Sequence, residues 1–264
     1  MRNSQTSKWF RWYHKSEQLI LGFTGMILVV AVWQMASALG WINTFLVSSP
    51  SQILSSAIEQ TTKGAIWADF QVTAIEFIIA FGISAVIGIL CGLVMGWYRH
   101  IEYVADPFLW FFYSTPLIAF YPLFVMWLGL GFKTVVMMGF LMAVIPITIN
   151  TFAGAKGTNP ILIRAARSFG ATNRQMLLKI SLPSALPMIV TGCRIGVERS
   201  LIGVIVGEMF SSNSGLGFRI SYYGSRLQTA NLFVSLVLVV LFGLILTQLI
   251  RLVEARLQNW QPKS

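Results

Sequence analysis

The sequence predicts an all-α integral membrane protein with six transmembrane helices, and three observations carry that expectation. Of its 264 residues, 56% are hydrophobic and only 11% are charged, whereas ordinary soluble domains carry about 25% charged residues. The apolar residues gather in runs of about 20, the length that crosses a bilayer at about 1.5 Å rise per residue. The basic residues are sorted by side of those runs.

The runs lie near 19–39, 72–97, 104–128, 134–155, 187–209 and 231–250. Arg2, Lys8, Arg11 and Lys15 precede the first, and Arg99 separates the second from the third. Lys156, Arg164, Arg167, Arg174 and Lys179 fall between the fourth and fifth, while Arg251, Arg256 and Lys263 follow the sixth. Only Lys63, Lys133, Arg219 and Arg226 fall on the other side. This asymmetry places both termini and the loop 156–186 in the cytoplasm. It also accounts for the formal net charge of +10, so no nucleic-acid partner is needed. The expected organisation is an interfacial segment 1–18, a membrane domain 19–250 that includes the loop, and a tail 251–264.

The stretch "KWFRWYHK" mixes basic and aromatic residues and suits the interface before the first span. Ala36-Ser37-Ala38 fits a signal-peptidase site, but the apolar run before it exceeds the usual 7–15 residues, so the span reads as a retained anchor. The second span sets Glu76, Ala80, Ser84, Gly88, Gly92 and Gly96 four apart, a row of small residues that lets helix backbones approach in lipid.

The third span contains Pro107, Pro116 and Pro122. Proline at 116 and 122 removes the usual partners of the Phe112 and Ile118 carbonyls. Ser114, Thr115 and Tyr121 flank these breaks and offer hydroxyls to a passing solute; equally, the breaks are kinks that fit neighbouring helices. In the fifth span Gly192, Gly196, Gly203 and Gly207 fall within about 60° of one another at about 100° per residue. Arg194 and Glu198 lie opposite them at i and i+4, spaced to pair, and Arg199 lies nearer the glycine face.

Charges at membrane depth cost at least about 2.5–3.5 kcal/mol each and usually mark a pathway. Glu76, Arg194, Glu198 and Arg199, with the three hydroxyls, are therefore candidates to line a route for a small polar or anionic solute. The competing expectation is a network in which Arg194 and Arg199 balance Glu76 and Glu198. Glu208 is expected to shape the outer interface. Cys91 and Cys193 read as buried small apolar residues. His14 and His100 have no second ligand at metal spacing, and no catalytic set, metal or cofactor is expected. The two "GLGF" stretches, 129–132 and 215–218, look like tight outer connections.

The loop "RAARSFGATNRQMLLKISLP", 164–183, is the informative segment. Asn159-Pro160 supplies an N-cap and a first-turn proline for a helix reaching Phe169. Gly170 supplies a left-handed terminator, and Thr172 with Gln175 has the spacing of a capping box that starts a second helix, ending near Pro183. A simple connection needs about 2–8 residues, and this one uses far more. The excess favours a docking element.

The loop resembles that of permease subunits of bacterial binding-protein-dependent ATP-binding-cassette importers. Arg164-Ala165-Ala166, Gly170 and Ile180-Ser181-Leu182-Pro183 keep that family's Glu-Ala-Ala, Gly, Ile-x-Leu-Pro spacing, with Arg164 in place of Glu. The same change occurs in permeases similar to those for nitrate, sulfonates, taurine and pyrimidine precursors, and "STPLIAFYPLFVMWLGLG" and "GEMFSSNSGLGF" extend the likeness. The resemblance implies a type I importer permease fold in the bacterial inner membrane, paired with a second copy of itself. It further implies two separate ATPase subunits and a periplasmic or lipid-anchored solute-binding protein. Arg164, Ala165, Ala166, Arg167, Gly170, Thr172, Gln175 and Pro183 would then form the coupling element that meets the ATPase. The chain has no G-x-x-x-x-G-K-[ST] phosphate loop; "GLGFKT" at 129–134 lacks the Gly-Lys pair. A proton-coupled transporter using Glu76 and Glu198 is the rival reading and leaves the loop unexplained. A membrane enzyme lacks reactive residues, and a scaffold would need no polar cavity.

Overall fold

A computed structural model describes residues 5–258, with side chains for 20–64 and 66–256. The expected interfacial residues 1–18 and the end of the tail lie outside the described side chains. The described chain is helical throughout, without a strand. Its helices are α1 (Gln5–Ala38), α2 (Pro50–Thr62), α3 (Ala65–Trp97), α4 (Arg99–Ser114), α5 (Tyr121–Leu128), α6 (Phe132–Lys156), α7 (Pro160–Ser168), α8 (Asn173–Met176), α9 (Leu182–Ser211), α10 (Leu216–Ser225) and α11 (Thr229–Gln258).

Five stretches are long and apolar enough to cross a membrane: Ile20–Ala38, Ile66–Trp97, Phe132–Lys156, Asn173–Ser211 and Thr229–Arg256. The expected third span is instead a broken pair, Arg99–Ser114 and Leu117–Leu128, bent by 89°. The prolines explain the break. Pro107 is absorbed inside α4, Pro116 sits at the corner, and Pro122 lies in the first turn of α5, where its missing N–H is harmless. The carbonyls expected to lose their partners do not. Phe112 accepts from Thr115 N–H at 3.3 Å, and Ile118 accepts from Tyr121 N–H, because the chain tightens into three-residue turns.

The chain forms two compact units: one holds the residues up to Thr62 with Tyr223–Val234, the other Lys63–Tyr222 with Ser235 onward. In the first, Ser49 and Gln52 cap α2 reciprocally, with Ser49 N–H donating to Gln52 Oε1 at 3.0 Å and Gln52 N–H to Ser49 Oγ at 3.3 Å. Gln60 Nε2 donates to Asn231 Oδ1 at 2.9 Å. Helix α2 is too short and too polar for hydropathy to reveal.

The larger unit is built on α3, α6 and α9, and its core gathers Phe77, Ala80, Val135, Val197, Leu201, Val204 and Phe242. Both rows of small residues meet α6. A Cβ on Gly92 would lie 2.6 Å from the Thr148 carbonyl oxygen, and one on Gly203 would lie 2.7 Å from that of Met138. Gly88, Gly192, Gly196 and Gly207 are equally crowded by α6. Without a hydrophobic driving force between helices in lipid, such backbone proximity supplies the dispersion contact that holds them. Ser84 adds a polar tie, donating to the Phe140 carbonyl at 3.0 Å. Cys91 differs from expectation. It is exposed rather than buried, because it faces an apolar cleft of about 540 Å³ between α3, α4 and α6.

Candidate functional site

The basic loop forms the helical hairpin that its local signals dictate. Asn159 Oδ1 accepts from Ile161 N–H at 2.9 Å and opens α7. Gly170 has φ +76°, the left-handed region that a side chain resists. Thr172 and Gln175 close the capping box, with Thr172 N–H donating to Gln175 Oε1 at 2.8 Å and Gln175 N–H to Thr172 Oγ1 at 3.3 Å. Arg164, Ala165, Arg167, Thr172 and Gln175 are exposed, Ala166 is half-buried, and Phe169 is 92% exposed at the tip. Pro160, Arg164, Arg167 and Lys156 line a pocket of about 550 Å³ between the hairpin and the ends of α3 and α6.

The second helix does not stop near Pro183. It passes through a π-turn, Leu177–Ser181, and continues as α9. Leu182 N–H bonds the Leu177 carbonyl across this wider turn. Pro183 follows within the first turn of α9, and the wide turn just before it accommodates a residue that lacks an N–H. The fifth span and the loop are therefore one helical rod, Asn173–Ser211.

Of the candidate pathway residues, the structure brings two together. Thr115 and Arg199 line a cavity of about 300 Å³ with Phe112, Pro116, Ile145 and Pro146. Arg199 is the one basic group in that lining. The Ser114 and Thr115 hydroxyls donate back to their own helix, to Trp110 O at 2.9 Å and Phe111 O at 2.7 Å, and Thr115 keeps acceptor capacity toward the cavity. Tyr121 packs against Phe210, ring centroids 5.4 Å apart, rather than lining the cavity.

Two expected charge pairings are overturned. Arg194 does not pair with Glu198; its Nη1 donates to Glu254 Oε2 of α11 at 3.1 Å. Glu198 is exposed beside Arg199. A helix of 3.6 residues per turn brings i and i+4 near each other, but a partner on a packed neighbour is nearer still, and sequence spacing gives no sign of it. Nor do Arg194 and Arg199 balance Glu76, which is 2% exposed and lies against Glu208 of α9. Glu76 and Glu198 thus form no common proton site.

At the far end of α9 lies a cluster that the sequence reading missed apart from Glu76 and Glu208. Asp69, Thr73 and Glu76 are spaced i, i+4, i+7 along α3 and share one face; that spacing was the available signal. The second GLGF stretch is not a plain connection, since Leu216 opens α10. Gly215 N–H donates to Asp69 Oδ1 at 2.9 Å, Leu216 N–H to Thr73 Oγ1 at 2.9 Å, and Gly217 N–H to Glu208 Oε2 at 2.6 Å. Arg219 Nε donates to Asp69 Oδ2. The GLGF stretch at 129–132 is likewise tied in, with Gly131 N–H donating to the Ser211 carbonyl at 2.7 Å.

Known proteins share this plan. The putative aliphatic sulfonates transport permease protein SsuC of Bacillus subtilis is 28% identical over 89% of this chain and 85% of its own length. The taurine transport system permease protein TauC of Escherichia coli is 27% identical over 98% and 95%, and the formylaminopyrimidine transport permease protein ThiX of Halalkalibacterium halodurans is 30% identical over 90% and 94%. Among solved structures, an inward-facing form of the MetNI methionine ABC transporter superposes with a TM-score of 0.55 at 22% identity, covering 75% of this chain and 95% of the other. That likeness speaks for the fold alone. Residues 84–259 match the family described as binding-protein-dependent transport system inner membrane component. With the unbroken rod from loop to span, the close-packed core and this match over most of its length, the chain belongs to that family of ABC importer permeases.

Proposed function

We propose that the chain is half of the translocation pathway of an ATP-driven importer, working with a second copy of itself, two ATPase subunits and a periplasmic or lipid-anchored solute-binding protein. Its termini and hairpin face the cytoplasm, as the charge asymmetry favours. The observation that carries the reading is the hairpin 160–181: exposed Arg164, Arg167 and Phe169 stand on α7 and its C-cap, which a short turn joins to a helical rod continuous with a membrane span. A basic rim with an exposed aromatic has the composition of an interface anchor. Arg164, Ala165, Ala166, Arg167, Gly170, Thr172, Gln175 and Pro183 act there as the coupling element.

Thr115 and Arg199 line the route. Arg199 and Glu198 are exposed on α9, and charges at membrane depth do not face lipid, so a second copy covers them and encloses the cavity. Arg199 favours an anionic solute, in keeping with relatives named for aliphatic sulfonates and taurine.

The test is purification of the tagged chain from its native membrane in mild detergent, followed by reconstitution. A stoichiometric ATPase should co-purify and be lost with Arg167→Glu. Uptake of a sulfonate by the reconstituted complex should fall by about tenfold, roughly 1.4 kcal/mol of transition-state stabilisation, in Arg199→Ala and less in Arg199→Lys. A chain that purifies alone yet transports, or equal uptake in the two Arg199 variants, would sink the corresponding half of the reading.

A further inference from the structure

The cluster at the C-terminal end of α9 has a construction that span packing does not require. Three consecutive amides that open α10, those of Gly215, Leu216 and Gly217, are each taken by a different side chain: Asp69 and Thr73 from α3, and Glu208 from α9. Helix N-termini ordinarily satisfy such amides with one local cap residue or with water. Here the acceptors come from about 140 residues back in the chain and from across the preceding turn, separations of 146, 143 and 9 residues.

The set is also buried. Thr73 and Glu208 are 0% exposed, Glu76 is 2% and Arg219 is 8%. The approach is tight enough that Gly215, at φ +101°, and Gly217 admit no side chain; a Cβ on Gly217 would lie 2.8 Å from the Glu208 Cβ. Within the set the carboxyl groups of Glu76 and Glu208 lie against each other. Burying two carboxyl groups together is costly, so stability alone would have favoured apolar residues at these positions.

We propose that Asp69, Thr73 and Glu208 form a latch that makes α10 move as one body with α3 and α9, and that solute transfer requires it. This rests on the transport reading above, which places α10 on the outer face. Three directional bonds to two different spans fix both the position and the tilt of a short helix, which one bond would leave free to swing. When α9 shifts, α10 shifts with it, so the outer rim of the pathway follows the spans. Asp69, Thr73 and Glu208 are positioning residues: none lines the 300 Å³ cavity.

The test uses the whole transporter, with its ATPase and solute-binding protein, in vesicles supplied with the taurine or sulfonate that supports wild-type uptake. Hydrogen exchange over 214–219, uptake and ATP hydrolysis are read together. In Glu208→Ala, exchange over 214–219 should quicken by at least about tenfold as that segment opens locally, and uptake should fall by about as much while ATP hydrolysis persists. Glu208→Gln, which keeps an acceptor oxygen for the Gly217 amide, should recover most of the uptake. Quickened exchange with wild-type uptake overturns the proposal, and so does unchanged exchange. If Glu208→Ala does not accumulate, Thr73→Ser and Thr73→Val decide instead. The serine keeps the acceptor for Leu216 and should transport; the valine should not, and equal uptake in both overturns the latch. A wild-type complex without ATP-driven uptake would remove the transport reading itself, whereas active wild type with silent variants removes only the latch.

Discussion

The two ends of the rod that carries α9 are built on opposite principles. At its C-terminal end the amides of Gly215, Leu216 and Gly217, which open the next helix, are held by the chain's own side chains, in a pocket where Glu208 and Thr73 see no solvent. At its N-terminal end, and on α7 just before it, the caps are purely local, Thr172 with Gln175 and Asn159 with Ile161, and Arg164, Arg167 and Phe169 are exposed. Phe169, 92% exposed, is an aromatic ring that a self-sufficient fold would have buried. The difference teaches that one end is completed by the fold and the other leaves its tip open.

Two glycines sharpen this contrast, one at each end. Gly217 is crowded by Glu208 and the Ile205 carbonyl, whereas a Cβ on Gly170 would meet nothing within 4 Å. The largest expected effect is on transport from Gly170→Val. The left-handed backbone there disfavours a side chain by about 1–2 kcal/mol, and β-branching adds to it. The hairpin should lose its turn and uptake should fall by more than about tenfold, while the chain's melting point in detergent stays close to wild type. Uptake at the wild-type level would break the comparison.

Gly217→Ala should do the reverse, lowering stability by about 1–3 kcal/mol through overpacking, read as an earlier loss of monodispersity on heating. A variant as heat-resistant as wild type would show that the C-terminal end is looser than its geometry. The smallest effect is expected from Thr172→Ala, which removes a capping box worth about 1 kcal/mol. Uptake should drop by a few-fold and return with Thr172→Ser. Equal uptake in both would mean that the box serves the hairpin only when unbound.

These two ends also differ in how far the sequence discloses them. Asn159, Gly170, Thr172 and Gln175 act within three residues of their partners, so local chemistry reads them directly. Hydropathy located the spans, because burial in lipid depends on composition. It passed over α2 and α10, which are short and mixed. The Arg194–Glu254 pair joins residues 60 apart, and an i, i+4 rule pointed to Glu198 instead. Pro183 looked like a stop because proline ends helices, yet in the first turn after a π-turn it ends nothing. The cluster of Asp69, Thr73 and Glu208 left a trace only as a polar face on an apolar helix.

The uninterrupted run Asn173–Ser211 has a mechanical meaning. Its 39 residues span about 58 Å at about 1.5 Å each, against about 30 Å of hydrocarbon, so both tips project beyond the oil. Gly192, Gly196, Gly203 and Gly207 press its C-terminal half against α6, a contact too close to slide. A rod of this length that tilts as one rigid piece pivots where it is held closest, at that glycine seam. A push of about 2 Å at the N-terminal tip, roughly 40 Å from the centre of that seam, is a tilt of about 3°, and the C-terminal tip, roughly 17 Å away, swings the other way by about 0.8 Å. A stiff beam over a fixed pivot turns an approach at one tip into a smaller parting at the other.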